Sequence, residues 1–154
     1  MRTISAILAS RGPVFNTIDA GATVLEALGL MQCENLNYVV VTRYNRYAGL
    51  FTETDYARRV ILQNRHSHHT PVGDIMTVNL PCVSGNDTAG DALLLMNLYQ
   101  TRCLPVFDEF EFKGVIAVNE LLQDMLDEQI PAAPKESVLP LLQPGAVRRR
   151  HQIH

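Results

Sequence analysis

Residues 65 positions apart match along much of the first 128 residues, without a gap. Thr23 pairs with Thr88, Ala27 with Ala92, Leu28 with Leu93, Leu30 with Leu95 and Met31 with Met96. Further on, Val41 pairs with Val106, Gly49 with Gly114 and Asp55 with Glu120, and upstream Ile18 pairs with Val83. A chain that repeats itself at this period must build two copies of one small unit. Each copy has roughly 60 residues, too few to bury a large core alone, so the two copies are expected to cover each other.

Hydrophobic spacing gives both copies the same elements. Val24, Ala27, Leu28 and Met31 fall at i, i+3, i+4 and i+7, as do Ala89, Ala92, Leu93 and Met96, so each set marks one helix face. Thr23 and Thr88 precede these runs, where a hydroxyl can cap free backbone N–H groups. Strands are expected at Tyr38 to Thr42 and Ala48 to Thr52, and again at Cys103 to Phe107 and Lys113 to Ala117, each pair joined by a polar turn. A second helix follows in each copy, through Tyr56, Ala57, Val60 and Ile61, and through Leu121, Leu122, Met125 and Leu126. Short strands at Val14 to Ile18 and Pro81 to Val83 precede the first helices, and short helices at Ser5 to Ala9 and Val72 to Met76 open the copies. The expected architecture is α+β: two β-α-β-β-α repeats packed as a pseudo-two-fold pair. Residues 1–70 form the first repeat with its linker, and 71–128 form the second.

Residues 129–154 read differently. They hold Pro131, Pro134, Pro140 and Pro144 and end near Arg148, Arg149 and Arg150. Prolines at this density block regular elements, so a flexible tail is expected. The net charge of −3 leaves no basic footprint for nucleic acid, and no apolar run is long enough to span a membrane. No signal peptide is visible, which suits the cytoplasm. Cys33, Cys82 and Cys103 cannot all pair, and each adjoins apolar residues, as reduced core thiols would. There is no Gly-rich phosphate loop and no hydrolase or zinc-protease motif, so an enzyme is not expected.

Three motifs in order on this repeat resemble the cystathionine-β-synthase (CBS) domain family as a tandem pair, the Bateman module. The first is Gly49-Leu50-Phe51-Thr52-Glu53-Thr54-Asp55-Tyr56-Ala57-Arg58-Arg59, with the family's Gly, two apolar residues, Ser or Thr, and Asp. The second is Asp74-Ile75-Met76-Thr77, and the third is Arg102-Cys103-Leu104-Pro105-Val106. The resemblance covers about residues 3–128. It implies a regulatory module, dimeric in many relatives, that binds AMP, ADP, ATP, NAD or S-adenosylmethionine as a signal read by an effector protein. The ligand would lie in the cleft between the repeats, and no cofactor would be required.

The residue chemistry agrees with that implication. A carboxylate at Asp55 can accept hydrogen bonds from two ribose hydroxyls, Thr52 offers a hydroxyl, and Arg58 is spaced to reach a phosphate. Backbone groups at Tyr38 and Val39 would read the adenine edge, with Ile18 on its face. Thr52 and Asp55 would serve equally well as a helix cap with no ligand. A weaker second site would use Arg102, Leu104, Pro105 and Glu120. There Ala117 replaces the Ser/Thr and Glu120 the Asp, so the site is degenerate. Two alternatives stand beside nucleotide sensing. One is an interaction module whose sites bind nothing, favoured by Tyr38, Ala117 and Glu120. The other is metal sensing through His66, His68 and His69 in the linker.

Overall fold

A computed structural model of the protein describes residues 2–12, 16–34 and 36–129. The expected tail, and Val14 at the start of the first expected strand, lie outside the described residues. The first half runs α1 (Ile4–Arg11), β1 (Thr17–Asp19), α2 (Val24–Glu34), β2 (Tyr38–Arg43), β3 (Arg46–Thr52) and α3 (Glu53–Asp55). A π-helical stretch, Tyr56–Ile61, continues α3, and a 3-10 turn, Val72–Asp74, leads into the second half. There α4 (Ala89–Leu98), β4 (Cys103–Asp108), β5 (Glu111–Ala117) and α5 (Val118–Gln129) follow. In the first sheet β1 is parallel to β2 and β2 antiparallel to β3; in the second β4 is antiparallel to β5.

The caps stand where the threonines placed them. Thr23 and Glu26 exchange hydrogen bonds at the start of α2, both 3.2 Å, and Thr88 and Asp91 do the same at α4. The expected strand at Pro81 to Val83 shrinks to one parallel bridge, Val83 to Val106. Pro81 has no N–H to give a ladder, which limits pairing there. The second helix of the first half also differs. It winds one residue wider per turn after Asp55, with Leu62 N–H donating to the Ala57 carbonyl at 3.1 Å. Of its expected apolar face only Val60 is fully buried; Tyr56 is half-buried and Ile61 exposed. In α5 the buried apolar residue is Leu121, while Leu122 and Leu126 face outward.

Strand alternation sorts the core into layers. Val39, Val41 and Phe51 pack with Val24, Ala27, Met31 and Val60 beneath the first sheet. Leu104, Val106 and Ile116 pack with Ala89, Ala92, Met96 and Leu121 beneath the second. The opposite faces meet: Tyr38, Val40 and Leu50 lie against Cys103, Val115 and Ala117. Tyr47 stacks on Phe112, its counterpart 65 residues on, with ring centroids 4.8 Å apart, so the pseudo-two-fold passes between these rings.

The opening segments are exchanged between the halves. Ile4 and Ile7 of α1 join the core of the second half, whereas Val72, Ile75 and Met76 join that of the first. Matching backbone bridges tie each crossing down, Thr3 to Thr88 and Thr23 to Pro71. Arg2 adds an ion pair to the buried Asp124 at 2.7 Å. Gly49 is a packing requirement, since a Cβ there would meet the Thr77 carbonyl oxygen at 2.7 Å.

Candidate functional site

The end of β3 and the start of α3 open onto a cleft of about 610 Å³ that both halves build. Thr52, Asp55, Arg58, Arg59 and Thr77 line one side; Thr101, Arg102 and Cys103 line the other. Asp55 is buried at its floor, 6% exposed. Its Oδ2 accepts from the Thr52 N–H at 3.0 Å and the Thr52 hydroxyl at 3.1 Å, while its Oδ1 accepts from the Thr77 hydroxyl at 2.6 Å. The helix-cap role is therefore real, and it orients the carboxylate into the cleft by fixing one oxygen on the chain. Arg59 sits 3.9 Å from Oδ1 and donates to the Met76 carbonyl at 2.8 Å, linking the carboxylate to the segment before Thr77. The Arg58 and Arg102 side chains are exposed and form no hydrogen bond or ion pair among the described residues. The cleft thus presents two free guanidinium groups, one from each half, beside the Asp55 carboxylate and the threonines that line it.

The expected residues divide in the structure. Thr52, Asp55 and Arg58 come together, and Arg102, expected in the weaker second site, joins them. Ile18, Tyr38 and Val39 are not among the cleft's lining residues. Val39 lies in the first core, Ile18 packs against it, and Tyr38 is fully buried between the sheets. The Tyr38 hydroxyl has no hydrogen-bond partner among the described residues, and burial pushes its pKa up against the pull of nearby Arg11. Leu104 and Pro105 are buried in β4, the former within the second core. Spacing does not single out Arg59, Thr101 or Thr77, although Thr77 closes the Asp74-Ile75-Met76-Thr77 motif.

Glu120 repeats the geometry of Asp55 with different partners. Its Oε2 accepts from the Ala117 N–H at 2.7 Å, as Asp55 does from Thr52. Its other oxygen is ion-paired with Arg11, which also donates to the Val115 carbonyl. In the first half the equivalent carbonyl, that of Leu50, accepts the Thr77 N–H at 2.7 Å. The Arg11 side chain therefore does in the second half what Thr77 does in the first, and Glu120 is engaged away from the cleft. A smaller cavity of about 450 Å³ beside α1 is lined by Arg11, Asp108 and Lys113 and by none of the expected site residues.

The linker histidines crowd together, with ring centroids 4.0–6.4 Å apart. Among the described residues no group of three His, Cys, Asp or Glu is placed to hold a metal ion. The backbone of this loop caps α2 instead, since the carbonyls of Ser67 and Thr70 accept the Leu25 and Val24 N–H groups at 2.9 Å. The cysteines also depart from expectation. Only Cys103 is buried; Cys33 and Cys82 are exposed, and all three are free. Burial pushes the Cys103 thiol up to about 12. A thiol kept protonated by burial in this way is a poor nucleophile. Iodoacetamide is expected to label Cys33 and Cys82 quickly and Cys103 only on unfolding. Peptide mass spectrometry reads this directly, and fast labelling of Cys103 in the native protein would contradict its placement.

Comparison with known proteins finds the CBS domain family matching residues 4–62 and 72–127. CBS domain-containing protein YhcV from Bacillus subtilis is 29% identical over 113 residues, covering 73% of this chain and 80% of the relative. Longer relatives are spanned only in part, as with CBSCBSPB2 of Arabidopsis thaliana, of which the match covers 25% at 31% identity. The structure of a protein with CBS domains from Burkholderia ambifaria superimposes with a TM-score of 0.78 at 31% identity, covering 82% of this chain and 96% of that one. The CBS domain pair of MJ0100, solved with 5′-methylthioadenosine and S-adenosyl-L-methionine, shares the fold at a TM-score of 0.72 and 18% identity, over 83% of this chain and 98% of that one.

Proposed function

This chain belongs to the CBS-domain family as a tandem pair, and from that premise we propose that it is a regulatory module that binds an adenine nucleotide in the cleft between its repeats. The observation that carries the reading is the pair of unpaired guanidinium groups, Arg58 and Arg102, reaching one cleft from opposite repeats beside the Asp55 carboxylate. Guanidinium forks suit phosphate oxygens, and a carboxylate suits ribose hydroxyls. On this reading a ribose hydroxyl takes the place on Asp55 Oδ1 that the Thr77 hydroxyl holds. Thr77 is bridged through its backbone to Leu50, and Arg59 holds the preceding carbonyls, so that exchange would be felt where the two halves join. AMP, ADP and ATP fit this chemistry as regulatory ligands, bound without reaction, and an effector protein would read the change. Three unpaired cysteines suit a reducing compartment such as the cytoplasm. Among the described residues no helix is long and apolar enough to cross a membrane.

A thermal-shift series with AMP, ADP, ATP and S-adenosylmethionine tests the reading. A ligand present at about 100 times its dissociation constant stabilises the folded state by about 2.7 kcal/mol. A melting temperature that no adenine compound moves would leave the interaction-module alternative standing.

The same reading includes a homodimer through helical faces. On the helices of the second half, Leu121 is buried in its own core, and Leu93 and Met125 are partly covered. Leu94, Leu98, Leu122 and Leu126 are each at least half exposed on α4 and α5, and they offer the apolar area a second copy would cover. Light scattering at micromolar concentration is expected to give about twice the 17.2 kDa chain mass. A particle of one chain mass would contradict the dimer.

A further inference from the structure

The two hairpin turns are counterparts with opposite charge. Arg43, Tyr44, Asn45 and Arg46 form the first; Asp108, Glu109, Phe110 and Glu111 occupy the same positions in the second, 65 residues on. Arg43 is matched by Asp108 and Arg46 by Glu111. The stacked Tyr47 and Phe112 rings, each directly after a turn, place both tips side by side at one end of the molecule. Although the tips are neighbours, no ion pair joins them among the described residues. Arg43, Arg46 and Glu109 make no ion pair there, and Glu111 meets only the Lys113 amine, at 2.9 Å.

Each tip also carries an aromatic ring that the fold does not use. Tyr44 is 95% and Phe110 103% exposed. All four central turn residues hold φ between 49° and 66°, a left-handed conformation that favours Gly or Asn and disfavours Tyr, Glu and Phe. Two aromatic rings thus stand exposed at one end of the molecule, in a strained backbone conformation and without packing from their own chain.

We propose that this end of the molecule is a self-complementary contact surface whose partner is a second copy of the same chain. A two-fold rotation brings the basic tip of each copy onto the acidic tip of the other. Arg43 and Arg46 then face Glu109 and Glu111 twice over, and Tyr44 and Phe110 are covered between them. The charge pattern itself selects a second copy. A uniformly acidic or basic partner is repelled by one of the two adjoining tips, whereas a rotated copy is attracted by both. This contact uses none of the leucines on α4 and α5 and does not depend on a nucleotide.

Charge exchange tests it by sedimentation velocity on the full chain. One variant carries Arg43→Glu and Arg46→Glu, which makes both tips acidic; the other carries Glu109→Lys and Glu111→Lys, which makes both basic. Asp108 is left intact because it holds Ser84 and Gly85. The wild type is expected to associate beyond any helix-mediated dimer, with that step weakening as salt rises from about 50 mM to about 500 mM. Each variant alone should lose the step, its association constant falling by roughly tenfold or more, and an equimolar mixture should regain it. Recovery in the mixture also shows that both variants fold. Wild-type association that ignores salt, variants that associate as the wild type does, or a mixture no stronger than its parts would each overturn the proposal.

Discussion

Ile4→Ala is expected to cost about 2–5 kcal/mol of folding stability, the range for truncating a fully buried isoleucine. Ile4 opens the chain, yet it is 0% exposed and sits among Val83, Ala89, Leu104 and Leu121 of the second half. The residual cavity cannot collapse easily, because α1 is fixed on both sides of Ile4 by the Arg2–Asp124 pair and the Arg11–Glu120 pair. For a chain of this size the melting temperature should fall on the order of 10 °C. Leu25→Ala, at a position 55% exposed, should change stability by less than about 0.5 kcal/mol. Chemical denaturation of both variants checks the pair of outcomes. Equal, small effects would mean that α1 is not part of the second core.

The second large effect concerns binding. Asp55→Ala is expected to weaken adenine-nucleotide affinity about 10- to 100-fold, because a hydrogen bond to a charged group contributes roughly 1.5–3 kcal/mol. Glu120→Ala should change affinity by less than about threefold. The two carboxylates occupy equivalent positions and accept equivalent backbone N–H groups. They differ in what holds the second oxygen: a hydroxyl facing the cleft for Asp55, the Arg11 guanidinium for Glu120. A hydroxyl is readily exchanged for a ligand hydroxyl, whereas removing Arg11 would leave a charge unpaired. Asp55→Asn keeps the shape of the side chain and separates loss of charge from loss of the cap. Equal losses at positions 55 and 120 would mean that the ligand reaches both halves' carboxylates.

Local chemistry explains which parts of this structure are legible in the sequence. The threonine caps, the hairpins and the alternation of Val39, Val41 and Phe51 against Tyr38, Val40 and Leu50 all depend on neighbours within a few residues. The exchange of α1 and the 3-10 turn does not, since Ile4 and Ile7 read as one helix face whichever core receives them. Pro81 itself argues against the strand expected there. The π-helical winding after Asp55 has no comparable signal, and it turns Ile61 outward. At the site, Thr52, Asp55 and Arg58 are legible because one short motif places them together. Repeat symmetry groups Arg102 with the second repeat, and only the packing of the two sheets shows that the start of β4 shares a cleft with the end of β3. The expected contact at Tyr38 is through its backbone, while strand alternation points its ring at the other sheet.

Isothermal titration of ATP into the wild type and into Arg102→Ala is the sharpest test of a shared cleft, because Arg102 is exposed and its loss removes no packed group. One shared cleft predicts a single site per chain in the wild type and an affinity about tenfold or more weaker in the variant, since a guanidinium–phosphate contact is charge-assisted. Binding of ATP with two sites per chain, or with an affinity that Arg102→Ala leaves unchanged, would contradict a nucleotide site built jointly by the two repeats.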